Sequence, residues 1–145
     1  MRYIVTENRK DLVPLPNEIN CIVDFIDFQK LRLADNIKLR CDISGNFADK
    51  QIPPLLLIPY IENAFKHGVN PDENSEISIY IHATDNDLKL EVENNMVSAN
   101  NDTLSKSGYG IENTKTRLQL MYPGKHLLKI TSNENFYKVT LILFF

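Results

Sequence analysis

Pro53-Pro54-Leu55-Leu56-Leu57-Ile58-Pro59-Tyr60-Ile61-Glu62-Asn63-Ala64-Phe65-Lys66-His67-Gly68 is the stretch on which the fold turns. Paired prolines can open a helix but not occupy its middle, so the pattern predicts a helix from Pro53 to Gly68, whose missing side chain suits a stop. Pro59 inside that span predicts a kink. Leu57, Ile61, Ala64 and Phe65 project toward a core, whereas Asn63, Lys66 and His67, three and four residues apart, share a polar face. A carboxamide oxygen is a hard ligand suited to Mg²⁺, and a lysine one turn away can meet a phosphate. Glu62 adds a carboxylate able to order water or accept a proton. The same residues also suit an ordinary i,i+4 Glu62–Lys66 pair and a helix-end His67 set against the dipole, and the helix alone does not choose.

Upstream, Pro16 and Asn17 open a stretch with Ile19, Ile22, Val23, Ile26 and Leu33 at near-helical spacing, which predicts an amphipathic helix to about Ala34. Ile37, Leu39, Cys41 and Ile43 alternate with polar residues and predict a strand ending at Ser44-Gly45-Asn46. Downstream, Ile77/Ile79/Ile81 and Leu88/Leu90/Val92 flank the turn-like Thr84-Asp85-Asn86-Asp87 and predict a β-hairpin. Residues 96–107 are mostly Asn, Ser, Asp and Thr without periodicity and read as a mobile loop. A third helix then carries Ile111, Thr114, Leu118 and Met121 on one side and stops at Pro123-Gly124. Two closing strands, about 127–132 and 137–144, flank Asn133-Glu134-Asn135. Three helices over a largely hairpin-linked, mixed sheet of about five strands make a two-layer α+β sandwich, with the helices on one sheet face.

Composition bounds the function. The 145 residues, 43% hydrophobic, suit a single domain with one core spanning 1–145, residues 1–11 being a polar lead-in. The longest apolar run, Leu55 to Ile61, is far below the roughly 20 residues of a membrane span, and no signal-peptide pattern opens the chain. Cys21 and Cys41 lie among apolar neighbours at no metal-ligand spacing and read as two reduced core thiols, in keeping with the cytoplasm. A net charge of −3 without a basic, aromatic-interleaved patch argues against nucleic acid as a partner.

A second constellation, Ser107-Gly108-Tyr109-Gly110-Ile111-Glu112-Asn113, stands between the polar loop and the third helix. Gly108 and Gly110 let the backbone approach a ligand closely. The helix start that follows offers N–H groups and a positive dipole end to phosphate oxygens. It is neither a P-loop, which needs Gly-Lys-Ser/Thr, nor a dinucleotide fingerprint, since Asn113 stands at the third glycine and a loop precedes it.

These residues, in this order, resemble the GHKL ATPase superfamily, and within it the catalytic domains of sensor histidine kinases usually paired with LytTR-type response regulators. Pro14-Leu15-Pro16-Asn17-Glu18-Ile19, Phe28-Gln29-Lys30-Leu31-Arg32, Ile52-Pro53-Pro54, Glu62-Asn63-Ala64-x-Lys66-His67-Gly68 and Gly110-Ile111-Glu112-Asn113-x-x-x-Arg117-Leu118 with Tyr122 carry the resemblance over about residues 12–145. It implies a Bergerat-type fold binding ATP and Mg²⁺. Asn63 would coordinate the metal, Glu62 and His67 would assist at the phosphates, and Lys66 would contact them. Gly108, Tyr109, Gly110, Ile111 and Asn113 would form the lid side of the nucleotide site. It also implies transfer of the γ-phosphoryl group to a histidine on a dimerisation segment, then to a response regulator, in a homodimeric parent that is a membrane-anchored bacterial sensor.

Two departures stand out. Where the family carries Asp-x-Gly to recognise the adenine amine, this chain reads Asn94-Asn95-Met96; an amide oxygen can still accept from the amine but carries no charge. Asn94 is accordingly a cofactor-binding candidate, and Asn94 with Met96 also motivates the alternative of a catalytically degenerate nucleotide-sensing or interaction module. Second, no phosphoacceptor helix with its His-Phe-type box is found, and His82 and His126 do not resemble phosphoacceptors. The expectation is a cytoplasmic fragment without dimerisation helix, sensor or membrane segments, and unable to phosphorylate itself in cis at the usual site.

Overall fold

A computed structural model describes residues 12–68, 74–95 and 101–145, with backbone alone over 101–110. The elements in chain order are β1 (Val13–Pro14), α1 (Leu15–Lys30), β2 (Ile37–Gly45), β3 (Gln51–Ile52), α2 (Ile58–His67), β4 (Ser75–Ala83), β5 (Asp87–Asn95), α3 (Asn101–Met121), β6 (His126–Ser132) and β7 (Phe136–Phe144). β1 and β3 form a short antiparallel pair, and the other five strands make one sheet in the order β2-β4-β5-β7-β6.

Strict alternation places one face of each central strand inward. Ile77, Ile79 and Ile81 of β4, Leu88, Leu90 and Val92 of β5, and Val139, Leu141 and Leu143 of β7 are all buried; Ile79 and Ile81 stand opposite Val92 and Leu90, the three β5 residues stand opposite the three of β7, and Ile77 stands opposite Asn94. The other face carries ion pairs, Arg40–Glu76 at 3.1 Å, Lys89–Glu91 at 2.8 Å and Lys138–Glu91 at 3.4 Å, so it is the solvent side. β2 joins β4 in parallel and the remaining pairings are antiparallel, giving the expected mixed sheet. β2 ends at Gly45, whose φ of +110° and close approach to the Ala83 backbone exclude a side chain.

The helices cover the apolar face. Leu15, Ile19, Ile22 and Ile26 form the buried stripe of α1, with Pro16 harmless in its first turn. α1 stops at Lys30 rather than at Ala34, because i→i−3 bonds from Arg32 N to Gln29 O (3.0 Å) and from Leu33 N to Lys30 O (3.3 Å) tighten the chain and return Leu33 to the core. α2 begins at Ile58, not at Pro53, so Pro59 lies in its first turn and produces no kink. The preceding turn passes through Leu55, 59% exposed with φ +60°, a conformation no helix accommodates.

Two further expectations are corrected. Cys21 and Cys41 are exposed rather than core thiols. Cys21 lies beside the α1 stripe, and Cys41 is on the edge strand β2, where the helical layer covers little beyond Ile37. Burial of its surroundings still pushes the Cys41 thiol above its ordinary range. α3 also begins at Asn101, so residues 101–107, expected as loop, are helical, while 96–100 lie outside the described residues. Asn101-Asp102-Thr103 supplies residue types that favour helix starts.

Candidate functional site

α2 packs on both β5 and α3, and its residues divide by helical angle. Tyr60, Asn63, Ala64 and His67 lie on a buried stripe; Asn63 is 7% and His67 3% exposed. Burial, assisted by the adjacent Lys66 charge, pushes the His67 imidazole below its ordinary value, so it is neutral at physiological pH. Glu62 and Lys66 occupy the other flank, paired at 3.2 Å with each side chain about half exposed. Such a pair stabilises a helix by only about 0.3–0.5 kcal/mol, too little to explain it as a stability device.

The C-terminal end of α2 is locked to the sheet. The Gly68 carbonyl accepts a bond from Ser75 Oγ at 2.5 Å. A Cβ at Gly68 would fall 2.7 Å from the Ala64 carbonyl oxygen and 2.9 Å from Asn94 Cβ. Glycine at the end of this motif is therefore required by close approach rather than by a left-handed φ, and the approach brings Asn94 under the helix end.

Asn94 is 1% exposed. Its Nδ2 donates to the Asn95 carbonyl at 3.0 Å, while its Oδ1 is buried with no hydrogen-bond partner among the described residues. The Asn95 carbonyl is only an acceptor, which fixes the amide with its oxygen directed away. An orphaned buried acceptor costs about 1–3 kcal/mol, so the position is set up for an incoming donor.

Ile111 of α3 is buried, 7% exposed, as is Thr114 one turn on, while Asn113 is exposed. Gly108, Tyr109 and Gly110 fall within the helix, and their side chains lie outside the described residues. The first turn of α3 is at Asn101, so the backbone at Gly108 and Gly110 does not form the expected helix-start cradle in this arrangement. His82 and His126 are engaged elsewhere, His82 with Ser44 Oγ at 3.0 Å and His126 with the Tyr122 carbonyl at 2.7 Å.

Two features escape sequence reading. Tyr60 is 1% exposed and its hydroxyl has no partner among the described residues; burial pushes it far above the ordinary tyrosine range. Its signal is its place one turn before Asn63. The second is a clamp on the turn before α2. Buried Glu18 of α1 accepts from Leu55 N at 3.1 Å, and Arg117 of α3 donates to the carbonyls of Pro54 (2.9 Å) and Leu55 (3.4 Å). Burial raises the Glu18 carboxyl above its ordinary range, opposed by the Leu55 N–H and the Arg117 charge. Both residues stand in the quoted motifs, but nothing in their spacing reveals that they meet.

No model of a known protein family matches the chain. Among curated proteins it is similar to the sensor protein kinase HptS of Staphylococcus aureus, strain USA300, at 28% identity over 147 aligned positions, covering 93% of this chain. The chain spans 28% of the length of that relative. Among solved structures, the catalytic domain of histidine kinase ThkA superposes with a TM-score of 0.61 at 13% identity, covering 92% of this chain and 95% of that one. The histidine kinase domain of the Erythrobacter litoralis EL346 blue-light activated kinase gives 0.59 at 14% identity, over 90% and 61%. Those identities establish fold alone. The chain thus has the fold of histidine kinase catalytic domains and is similar over nearly its whole length to part of a sensor protein kinase.

Proposed function

We infer that the chain binds ATP with Mg²⁺ and delivers the γ-phosphoryl group to a histidine on a separate dimerisation segment of a longer, homodimeric kinase. The observation that carries this reading is the orphaned Oδ1 of Asn94 beneath the end of the Glu62–Gly68 helix. The amide oxygen accepts the adenine amine from a buried, neutral group. Asn63 and the neutral His67 hold the metal and phosphate end of the buried flank, and Lys66 lies beside them with its charge in contact with solvent. When bound, Mg²⁺ neutralises phosphate charge and orients the γ-phosphoryl group.

The remaining chemistry belongs to the chain. Lys66 offsets the charge that accumulates on the departing diphosphate, and Glu62 takes the proton of the acceptor imidazole. A nitrogen–phosphorus bond forms as the bond from the γ-phosphorus to the β,γ-bridging oxygen breaks. Gly108, Tyr109, Gly110, Ile111 and Asn113 close over the phosphates in this reading, which requires the first turns of α3 to unwind. Two glycines weaken those turns by about 1 kcal/mol each relative to alanine. The domain then works on the cytoplasmic side of a membrane-anchored bacterial sensor. A response regulator is the downstream partner, as the ThkA kinase has been solved with the response regulator TrrA.

Isothermal titration with a non-hydrolysable ATP analogue tests this: saturable, Mg²⁺-dependent heat is expected, and its absence with folded protein overturns the reading. Hydrogen exchange over residues 101–111 is expected to change on binding, and identical exchange with and without nucleotide removes the lid role from Gly108 and Gly110.

A further inference from the structure

On the flank of α2 opposite the buried stripe, a cavity of about 420 Å³ opens between the last turns of α1 and the middle of α2. Glu62 and Lys66, the charged pair of the motif, form one wall. Phe25 and Phe65 line it as well, their rings edge-to-face at 5.9 Å and 73°. Gln29 of α1 and Arg32 of the turn that follows it face them. Among the described residues the Arg32 guanidinium makes no hydrogen bond or ion pair, so a planar cation stands uncompensated in the groove.

The geometry points to this groove as the acceptor side of the site: it seats the imidazole of the histidine to be phosphorylated, with Arg32 and Gln29 as positioning residues. This rests on the reading of α2 as the nucleotide helix. Nucleotide held by Asn63, His67 and Asn94 occupies the buried flank, and Lys66 with Glu62 is the ridge between the two sides. A second reactant that must meet the γ-phosphorus without displacing nucleotide therefore has this groove open to it.

The lining fits that occupant. The volume is at the small end of ligand cavities, room for a side chain rather than a helix. Two aromatic rings suit a flat imidazole, Glu62 meets its N–H, and the free guanidinium with Lys66 suits the phosphoryl oxygens that arrive on the ring. Next in sequence to Gln29 and Arg32, Phe28 of α1 and Leu31 at its C-cap are 59% and 85% exposed. They give the helix that carries the histidine an apolar surface to rest on.

The test uses the full-length kinase. Arg32→Ala removes the guanidinium, and Gln29→Trp fills the groove; both positions are solvent-accessible, so neither endangers the core. Each is expected to slow autophosphorylation at saturating ATP at least tenfold while leaving the dissociation constant of the Mg²⁺–ATP analogue within twofold. Autophosphorylation unchanged in both variants overturns the assignment. So does a parallel loss of nucleotide affinity, which places Arg32 in the nucleotide pocket instead. Failure of the wild-type kinase to bind nucleotide is a different result and overturns the reading of α2 as well.

Discussion

The two flanks of α2 differ in one physical respect that organises the whole site. On the buried flank stand Asn63 and His67, with Asn94 beneath, each at most 7% exposed and each neutral: two amides and an imidazole held uncharged by burial. On the open flank stand Glu62 and Lys66, with Arg32 facing them across the groove, all formally charged and all in contact with water. Removing an ion from water without full compensation costs several kcal/mol, so a helix bearing both kinds of residue sorts them by solvent. The buried flank can then offer hydrogen bonds of fixed geometry, and the open flank offers charge.

The largest expected effect comes from the buried flank. Asn63→Ala removes the proposed metal ligand, and Mg²⁺-dependent nucleotide binding should fall by more than ~10²-fold while cooperative unfolding is retained. Titration with and without Mg²⁺ measures it, and unchanged affinity would remove Asn63 from the metal site. Gly68→Ala should follow. The added methyl meets the Ala64 carbonyl oxygen at 2.7 Å and Asn94 Cβ at 2.9 Å, so stability should drop by about 1–3 kcal/mol with loss of adenine affinity. A variant as stable as the parent would show that the helix end is not locked to Asn94.

His67 gives a pH-dependent version of the same comparison. Its folded value is depressed, so the folded state binds fewer protons than the unfolded chain. The stability of the neutral form is fully present above the unfolded value, about pH 6.5, and is lost as pH falls toward the folded one. Denaturant unfolding of wild type and His67→Gln at pH 7.5 and 5.5 should therefore show a larger loss for wild type on acidification. Equal losses would mean that His67 is not buried neutral.

How much of this was legible beforehand depends on the range of the interaction. The β4–β5 hairpin was readable because alternation and the Thr84–Asp87 turn are local, and the sheet places Ile77, Ile79 and Ile81 inward as expected. The Glu62–Gly68 motif and Asn94 were readable as residues. Their split into neutral and charged flanks was not, because it follows from which helix covers which angle of α2. The start of α2 was missed because Leu55 adopts a left-handed backbone that its own type does not favour, and the partners on its N–H and carbonyl lie 37 and 62 residues away. Exposure of Cys41 was hidden likewise, since an alternating strand at a sheet edge has the same pattern whether or not a helix reaches it.

The smallest expected effect makes the sharpest use of the open flank. Glu62 and Lys66 meet at 3.2 Å, but with both side chains about half exposed water screens the pair, and it should behave as a surface i,i+4 contact. A double-mutant cycle of Glu62→Gln and Lys66→Met, read by denaturant unfolding, should give a coupling of about 0.3–0.5 kcal/mol, reduced further at 1 M salt. Under the proposed function, phosphotransfer in the full-length protein should fall much more in either single variant than that coupling predicts, because there the charges are assigned to phosphate and imidazole rather than to each other. A salt-insensitive coupling well above 1 kcal/mol would mean that the pair is sheltered from solvent. The two flanks would then no longer differ by water, and the charged side of α2 would be a structural element of the fold.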